Sequence, residues 1–233
     1  MASRTFTFTS NTAWTFTGSL LSGGGSGSCT ASFSAWGAGG HGNSNGVGGS
    51  GGGYAGTDVN DGFLVQTGSV ITIVVGSASA ADGQASSVIT GSSPHIVRAA
   101  GGKMDGTIDH QAALQTGSYT YVGGLGGENF TGYDNYAGGG GGSRADASAD
   151  GVAGQSGLFA AREAGAPGGK VPNAMPFYGG SGSYYYAGAN KNGIVAGGTG
   201  DMGCGGGGGY EYPAGGNSSG AGGNGYVTVT LYD

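Results

Sequence analysis

Five consecutive glycines, Gly205 to Gly209, sit inside the stretch GGTGDMGCGGGGGYEYPAGGNSSGAGG that runs from Gly197 to Gly223, and a second run of five occupies Gly138 to Gly142. Glycine has no side chain to bury and loses more backbone entropy on ordering than any other residue. With 61 glycines among 233 residues, that cost is spread over most of the chain. Two outcomes satisfy it. One is flexible coil, the ordinary behaviour of glycine- and serine-rich segments. The other is a set of extended glycine helices of polyproline II geometry lying side by side. Such helices have no internal hydrogen bonds, so every N–H and C=O is left for a lateral partner. A collagen arrangement is excluded, because it needs a strict three-residue period and abundant proline, whereas this chain has five prolines and irregular glycine clusters. The sequence flanking the glycine runs is not linker-like, which favours the ordered form. At about 3.1 Å per residue a five-glycine run spans about 15 Å, enough to cross a small domain once and to leave the connecting loops at the two ends of a bundle.

The flanking sequence is β in character. Thr5 to Thr9 (TFTFT) alternates polar and aromatic residues, Ala13 to Thr17 (AWTFT) does the same, and Ser10-Asn11 supplies a turn between them. In Cys29 to Trp36 the residues Cys29, Ala31, Phe33 and Ala35 share one strand face. Ser69 to Val75 (SVITIVV), bracketed by Gly68 and Gly76, reads as a central strand, with Phe63 to Val65, Ala85 to Thr90 and His95 to Ala99 as weaker ones and Pro94 at a turn. Tyr226 to Tyr232 alternates again and is expected to insert beside the early strands. The one helical candidate is Gly157 to Ala166, stopped by Pro167. These segments predict a mainly β protein: one composite domain, residues 1–233, with an antiparallel β-sandwich or jelly-roll-like unit from 4–36, 63–99 and 225–232. Glycine-rich excursions, 37–56 and 101–223, insert a polyglycine II helix bundle into it, with little α-helix.

Charge narrows the functional classes. Only 9% of residues are charged, and the seven Lys and Arg residues occur singly, so no basic footprint for nucleic acid exists. No apolar run reaches the roughly 18 residues of a membrane span. Residues 1–20 lack the charged head, apolar centre and cleavage site of an ordinary signal peptide, so export by that route is not expected. Two cysteines, Cys29 and Cys204, exclude a disulfide-dense scaffold. Both sit among Ser and Gly, where small buried thiols are expected rather than one long-range bridge.

Taken together, FTFT, AWTF, FSAWGAGG, GGGYAG, GSVITIVVG, the GGGGG runs and the final GNGYVTVTL resemble the glycine-rich domains of bacteriophage fibre and adhesin proteins. They are distantly similar to the glycine-rich extracellular region of anaplastic-lymphoma-kinase-type receptors. The resemblance covers nearly the whole chain, and WGAGG at Trp36 to Gly40 and the strand after Gly223 are its most specific parts. It implies a β-sandwich carrying a polyglycine II bundle in a virion protein, whose inter-helix loops touch a host surface protein or glycan. Other virion proteins are the implied partners and the virion surface the implied location; the oligomeric state stays open, with a homotrimer suggested by the threefold assembly common in phage spikes and fibres. The β unit begins within the first few residues, so a capsid-vertex or head-fibre role stands beside a tail-tip role. A secreted or cell-surface adhesion protein is the alternative, and a polysaccharide hydrolase the third class.

The loop candidates are aromatic. Tyr184, Tyr185 and Tyr186 are consecutive and cannot all point inward from one extended segment. They either stack on a sugar or protein partner or cap the bundle and pack against a neighbouring subunit. Phe130, Tyr133 and Tyr136 recur every third residue and would line one edge of a threefold helix, as a packing seam or a ligand platform. Phe177 and Tyr178 form a third candidate, and Tyr210 and Tyr212 follow a glycine run where a bundle end is expected. Metal and cofactor sites are not expected: Asp58 with Asp61 and Asp146 with Asp150 lie in oxygen-rich turns that lack calcium-loop spacing, and His41, His95 and His110 form no zinc pattern. GNSNG and GGSGG match G-x-S-x-G only as a chance product of glycine content, and Arg162-Glu163 reads as a local polar pair, so no enzyme is expected.

Overall fold

Alternation of apolar and hydroxyl-bearing residues builds two sheets. The computed structural model describes all residues except 1–2, 18–26, 80, 92–94, 133–134, 138, 157–167, 171–176, 181–183, 189–190, 196, 210, 213–214, 217–218 and 233. The strands are, in chain order, β1 (Ser3–Phe8), β2 (Thr12–Thr15), β3 (Ser28–Trp36), β4 (Tyr54–Gly56), β5 (Phe63–Gln66), β6 (Val70–Val74), β7 (Ser86–Thr90), β8 (His95–Ala99), β9 (Tyr119–Tyr121), β10 (Phe130–Gly132), β11 (Asn135–Ala137), β12 (Tyr184–Gly188), β13 (Lys191–Val195), β14 (Glu211–Tyr212), β15 (Gly215–Gly216) and β16 (Tyr226–Tyr232). The protein is mainly β, with antiparallel sheets and almost no helix.

The first sheet runs β1-β16-β3-β4-β9, with β5 also paired to β3; the second runs β2-β6-β7-β8. The chain changes sheet at the Ser10-Asn11 turn, because β1 pairs with β16 while β2 pairs with β6. As expected, SVITIVV supplies an interior strand, and the C-terminal strand lies between β1 and β3. The inward sides of both sheets form one core that includes Phe16, Phe33, Ile71, Ile73, Val88, Val97, Val227, Val229 and Leu231, all 1% exposed or less. Burying a side chain of this size contributes about 1.5–3 kcal/mol, so this sandwich carries the hydrophobic stability that the glycine segments lack.

Two features differ from the sequence expectation. Tyr54–Gly56 and Tyr119–Tyr121, assigned to the glycine excursions, extend the first sheet as β4 and β9. Aromatic pairing explains this: Tyr226, Trp36, Tyr54 and Tyr121 fall in one cross-strand row, and the Trp36 and Tyr226 rings stack 4.2 Å apart. The helical candidate at 157–166 lies outside the described residues; the helix that is described is one turn, α1 (Gln111–Leu114).

The glycine segments form a lattice of extended chains with a three-residue period. From 37 to 42, Gly37 and Gly40 donate to Gly53 and Ser50, Ala38 and His41 to Gln84 and Ala81, and Gly39 and Gly42 to Gly223 and Gly220. The segment 48–53 repeats the pattern. Gly48 and Gly51 donate to Gly127 and Gly124, Gly49 and Gly52 to Gly206 and Gly203, and Ser50 and Gly53 to Lys103 and Ala100. These bonds are 2.7–3.1 Å long. A strand sends successive N–H groups to two sides; a threefold helix sends them to three, which is what the partners here require. Close approach demands glycine: a methyl group at Gly51 would lie 1.8 Å from the Ser143 carbonyl oxygen, and one at Gly141 would lie 2.0 Å from that of Gly205.

The two cysteines are buried and not joined, Cys29 in the sandwich and Cys204 in the lattice. Burial pushes the Cys204 thiol up to about 11.

Candidate functional site

The first crossing leaves the sandwich, runs along the lattice and returns, which puts its connecting turn at the far end. Trp36 at the end of β3 leads into 37–42, and 48–53 returns to Tyr54 at the start of β4. Between them a turn is held by Asn43 Oδ1, which accepts the Val47 N–H at 2.9 Å, with Gly46 in the left-handed region at φ 91°. Other far-end segments dock on this turn. Asn129 Nδ2 donates to the Asn45 carbonyl at 2.6 Å, Gly139 N–H to Gly46 and Gly209 N–H to Asn43.

Beyond this turn the backbone forms a four-stranded antiparallel sheet in the order β10-β11-β12-β13 and a separate β14–β15 hairpin. The sheet brings two loop candidates together: Ala137 stands opposite Tyr184, Tyr136 opposite Tyr185 and Asn135 opposite Tyr186. Phe130 and Tyr136 therefore belong to a hairpin, with Phe130 in register with Ala137 and Thr131 with Tyr136, and not to a threefold helix. Tyr212 lies in β14, opposite Gly215. Tyr133 and Tyr210 lie outside the described residues.

Phe177 and Tyr178 sit at the opposite end, beside the sandwich. Phe177 is half-buried, with the Arg144 guanidinium 4.9 Å from its ring centroid. The same guanidinium lies 5.0 Å from Tyr226 and 5.5 Å from Trp36, and Arg144 is only 3% exposed. Its Nε and Nη1 make no hydrogen bond, and the three rings surround the guanidinium. Burial pushes the Tyr226 hydroxyl up to about 12, and the nearby Arg144 charge opposes that shift. Tyr178 is 42% exposed; its N–H donates to Asp201 Oδ2 and its carbonyl accepts the Asp201 N–H, which fixes it beside the lattice rather than in a far-end loop.

The polar candidates are engaged in local structure. Asp58 and Asp61 form a reciprocal cap around the 3-10 turn Val59–Asp61, and Asp61 also accepts the Ser118 hydroxyl at 2.6 Å. Asp146 accepts the Ala147 N–H and Asp150 the Val122 N–H. His110 Nε2 lies 2.9 Å from the Gly101 carbonyl oxygen, and burial lowers the pKa of His41. Among the described residues no group of three or more His, Cys, Asp or Glu side chains converges as metal ligands would. A cleft of about 330 Å³ opens between the two sheets, lined by Phe33, Phe63, Val65, Val70, Ile71 and Ile96 among others, and among the described residues no titratable group lines it.

One residue was missed in the sequence. Gln111 is fully buried, with Nε2 donating to the Gly51 carbonyl and Oε1 accepting the Gly123 N–H, both at 2.7 Å. A lone glutamine before AAL carries no signal of this role in one dimension. Compared with known proteins, the chain matches no family model, and no curated sequence is significantly similar to it.

Proposed function

We propose that this chain is a non-enzymatic structural protein of a phage particle, a fibre, spike or head or tail decoration component, and that the far end of its glycine lattice presents loops to a host surface protein or glycan. The observation that carries this reading is the gathering of β10 to β13 and the β14–β15 hairpin, which include Tyr136, Tyr184, Tyr185, Tyr186 and Tyr212, at the end away from the sandwich. Tyrosine offers large contact area with few rotatable bonds and a hydroxyl handle. Loops anchored on hydrogen-bonded crossings lose little further entropy on binding. Sparse charge suits a surface that selects its partner by shape and hydrogen bonding.

Proteomics and immunogold labelling of purified particles test the assignment. The chain is expected reproducibly in particles, and purified protein is expected to adsorb to cells of the propagating strain and to slow infection. Its absence from particles, together with its presence on the surface of uninfected cells, would replace this reading with a cellular adhesion protein. Presence in particles without adsorption would leave scaffolding as the role.

A further inference from the structure

The outward side of the first sheet carries a second feature, independent of the far-end loops. Across β1, β16 and β3, Thr7, Thr228 and Ser34 form one register row, and Thr5, Thr230 and Ser32 form the next. Strands lie about 4.8 Å apart and alternate residues along a strand about 6.8 Å apart, so hydroxyls repeat on a regular two-dimensional grid. The grid continues one row further through Ser3, Tyr232 and Thr30. Its members orient one another: Thr5 and Thr230 hydroxyls are 2.9 Å apart, Ser32 and Tyr232 3.2 Å, and Ser34 and Tyr54 3.0 Å.

The outward face of an antiparallel sandwich, and above all its edge strand, ordinarily carries charge as protection against edge pairing. These rows carry none. Apolar groups border them instead: Leu64 pairs with Thr30 and is 67% exposed, and Tyr119 lies in line with Gly56 and Ser34 and is 49% exposed. The chain carries a formal charge of −6, which disfavours phosphate- or carboxylate-bearing partners. A second copy would set hydroxyls against hydroxyls with little apolar area, unlike the apolar interfaces of stable homodimers.

We propose that this face binds a neutral polysaccharide. Sugar hydroxyls exchange hydrogen bonds with the Ser and Thr rows, and the C–H faces of the rings rest on Tyr119 and Leu64. Because the hydroxyls of Thr5, Thr230, Ser32, Tyr232 and Ser34 are already ordered by their neighbours, binding immobilises few of those rotors.

The test incubates the full chain with insoluble cellulose, chitin and β-1,3-glucan and with anionic alginate, and reads binding by depletion. A Thr228→Val, Thr230→Val double variant keeps β-branched strand residues and the inward pattern while deleting two hydroxyls. Thermal melting checks that it folds. Retention on at least one neutral polysaccharide is expected, weakened at least tenfold by the double variant and unchanged by Leu125→Gln, at an exposed position of the lattice away from the rows. The proposal is overturned by no retention on any neutral polymer, by preference for alginate, or by equal binding of the double variant. Light scattering that shows an assembly dissolved by the same substitutions would also overturn it, since a second copy would then cover the face.

Discussion

Gln111 Nε2 donates to the carbonyl oxygen of Gly51 at 2.7 Å, a bond made by a side chain in a place where neighbouring lattice carbonyls accept backbone N–H groups. On either side, Ser50 O and Gly52 O accept from Gly40 and Ala145. The glutamine amide has one acceptor and two donors on a short stem, which is what a missing crossing would otherwise have to supply to Gly51 and Gly123.

Replacing Gln111 by Leu is therefore expected to destabilise the protein by about 2–6 kcal/mol, since two buried backbone groups lose partners at about 1–3 kcal/mol each. Urea unfolding followed by tyrosine fluorescence measures it. A loss below about 1 kcal/mol would mean that the lattice closes without the side chain.

Glycine substitutions should separate sharply by position. Gly51→Ala and Gly141→Ala each drive a methyl group to within 2.0 Å of a carbonyl oxygen and are expected to cost more than about 4 kcal/mol or to prevent folding. Gly27→Ala meets nothing within 4 Å and is expected to stay within about 0.5 kcal/mol of the parent. Expression and melting of the three variants side by side decide the matter.

Alkali should destabilise the fold. Cys204, ordinarily near 9.0 but raised by burial to about 11, and Tyr226, ordinarily near 10.0 but raised to about 12, each bind their protons more tightly folded than unfolded. Their contribution is complete below pH 9 and is lost as pH rises through 11 for the thiol and through 12 for the phenol. Each two-unit shift corresponds to about 2–3 kcal/mol. Cys204→Ala should lower stability at pH 7 by about 1 kcal/mol through lost packing, yet move the alkaline onset from about pH 9 to about pH 10. Denaturation midpoints measured from pH 7 to 12 reveal whether the onset moves.

Amide exchange should be slow where conventional secondary structure is lacking. The N–H groups of Gly51, Gly141, Gly205 and Gly207 are buried and bonded to Gly124, Gly180, Gly142 and Gly198. Protection comparable to that of β16 is expected by mass spectrometry or NMR. Exchange of these four at coil rates would remove the rigid support on which far-end presentation depends.

Much of the sandwich was legible in one dimension because alternation has a direct cause. Cys29, Ala31, Phe33 and Ala35 turned inward together, and Val227, Val229 and Leu231 met them across the β16–β3 register. The candidate site was legible only in part. Tyr184 to Tyr186 were noticeable as a cluster, but their pairing with Asn135 to Ala137 joins residues about 50 positions apart. Phe177 looked like another loop aromatic, and only the position of Arg144 shows it to be packing at the sandwich end.

The amino-acid sequence by itself determined that this chain has a small β core and glycine segments needing lateral partners, because alternation and the missing Cβ act locally on each residue. Tertiary structure alone decided which crossing bonds which, that Gln111 completes the lattice, and that Ser and Thr residues from both ends of the chain align in rows. A glycine carries no side chain to specify its neighbour, and a hydroxyl grid exists only once β1, β16 and β3 are in register. Those relations are set by how the whole chain closes on itself.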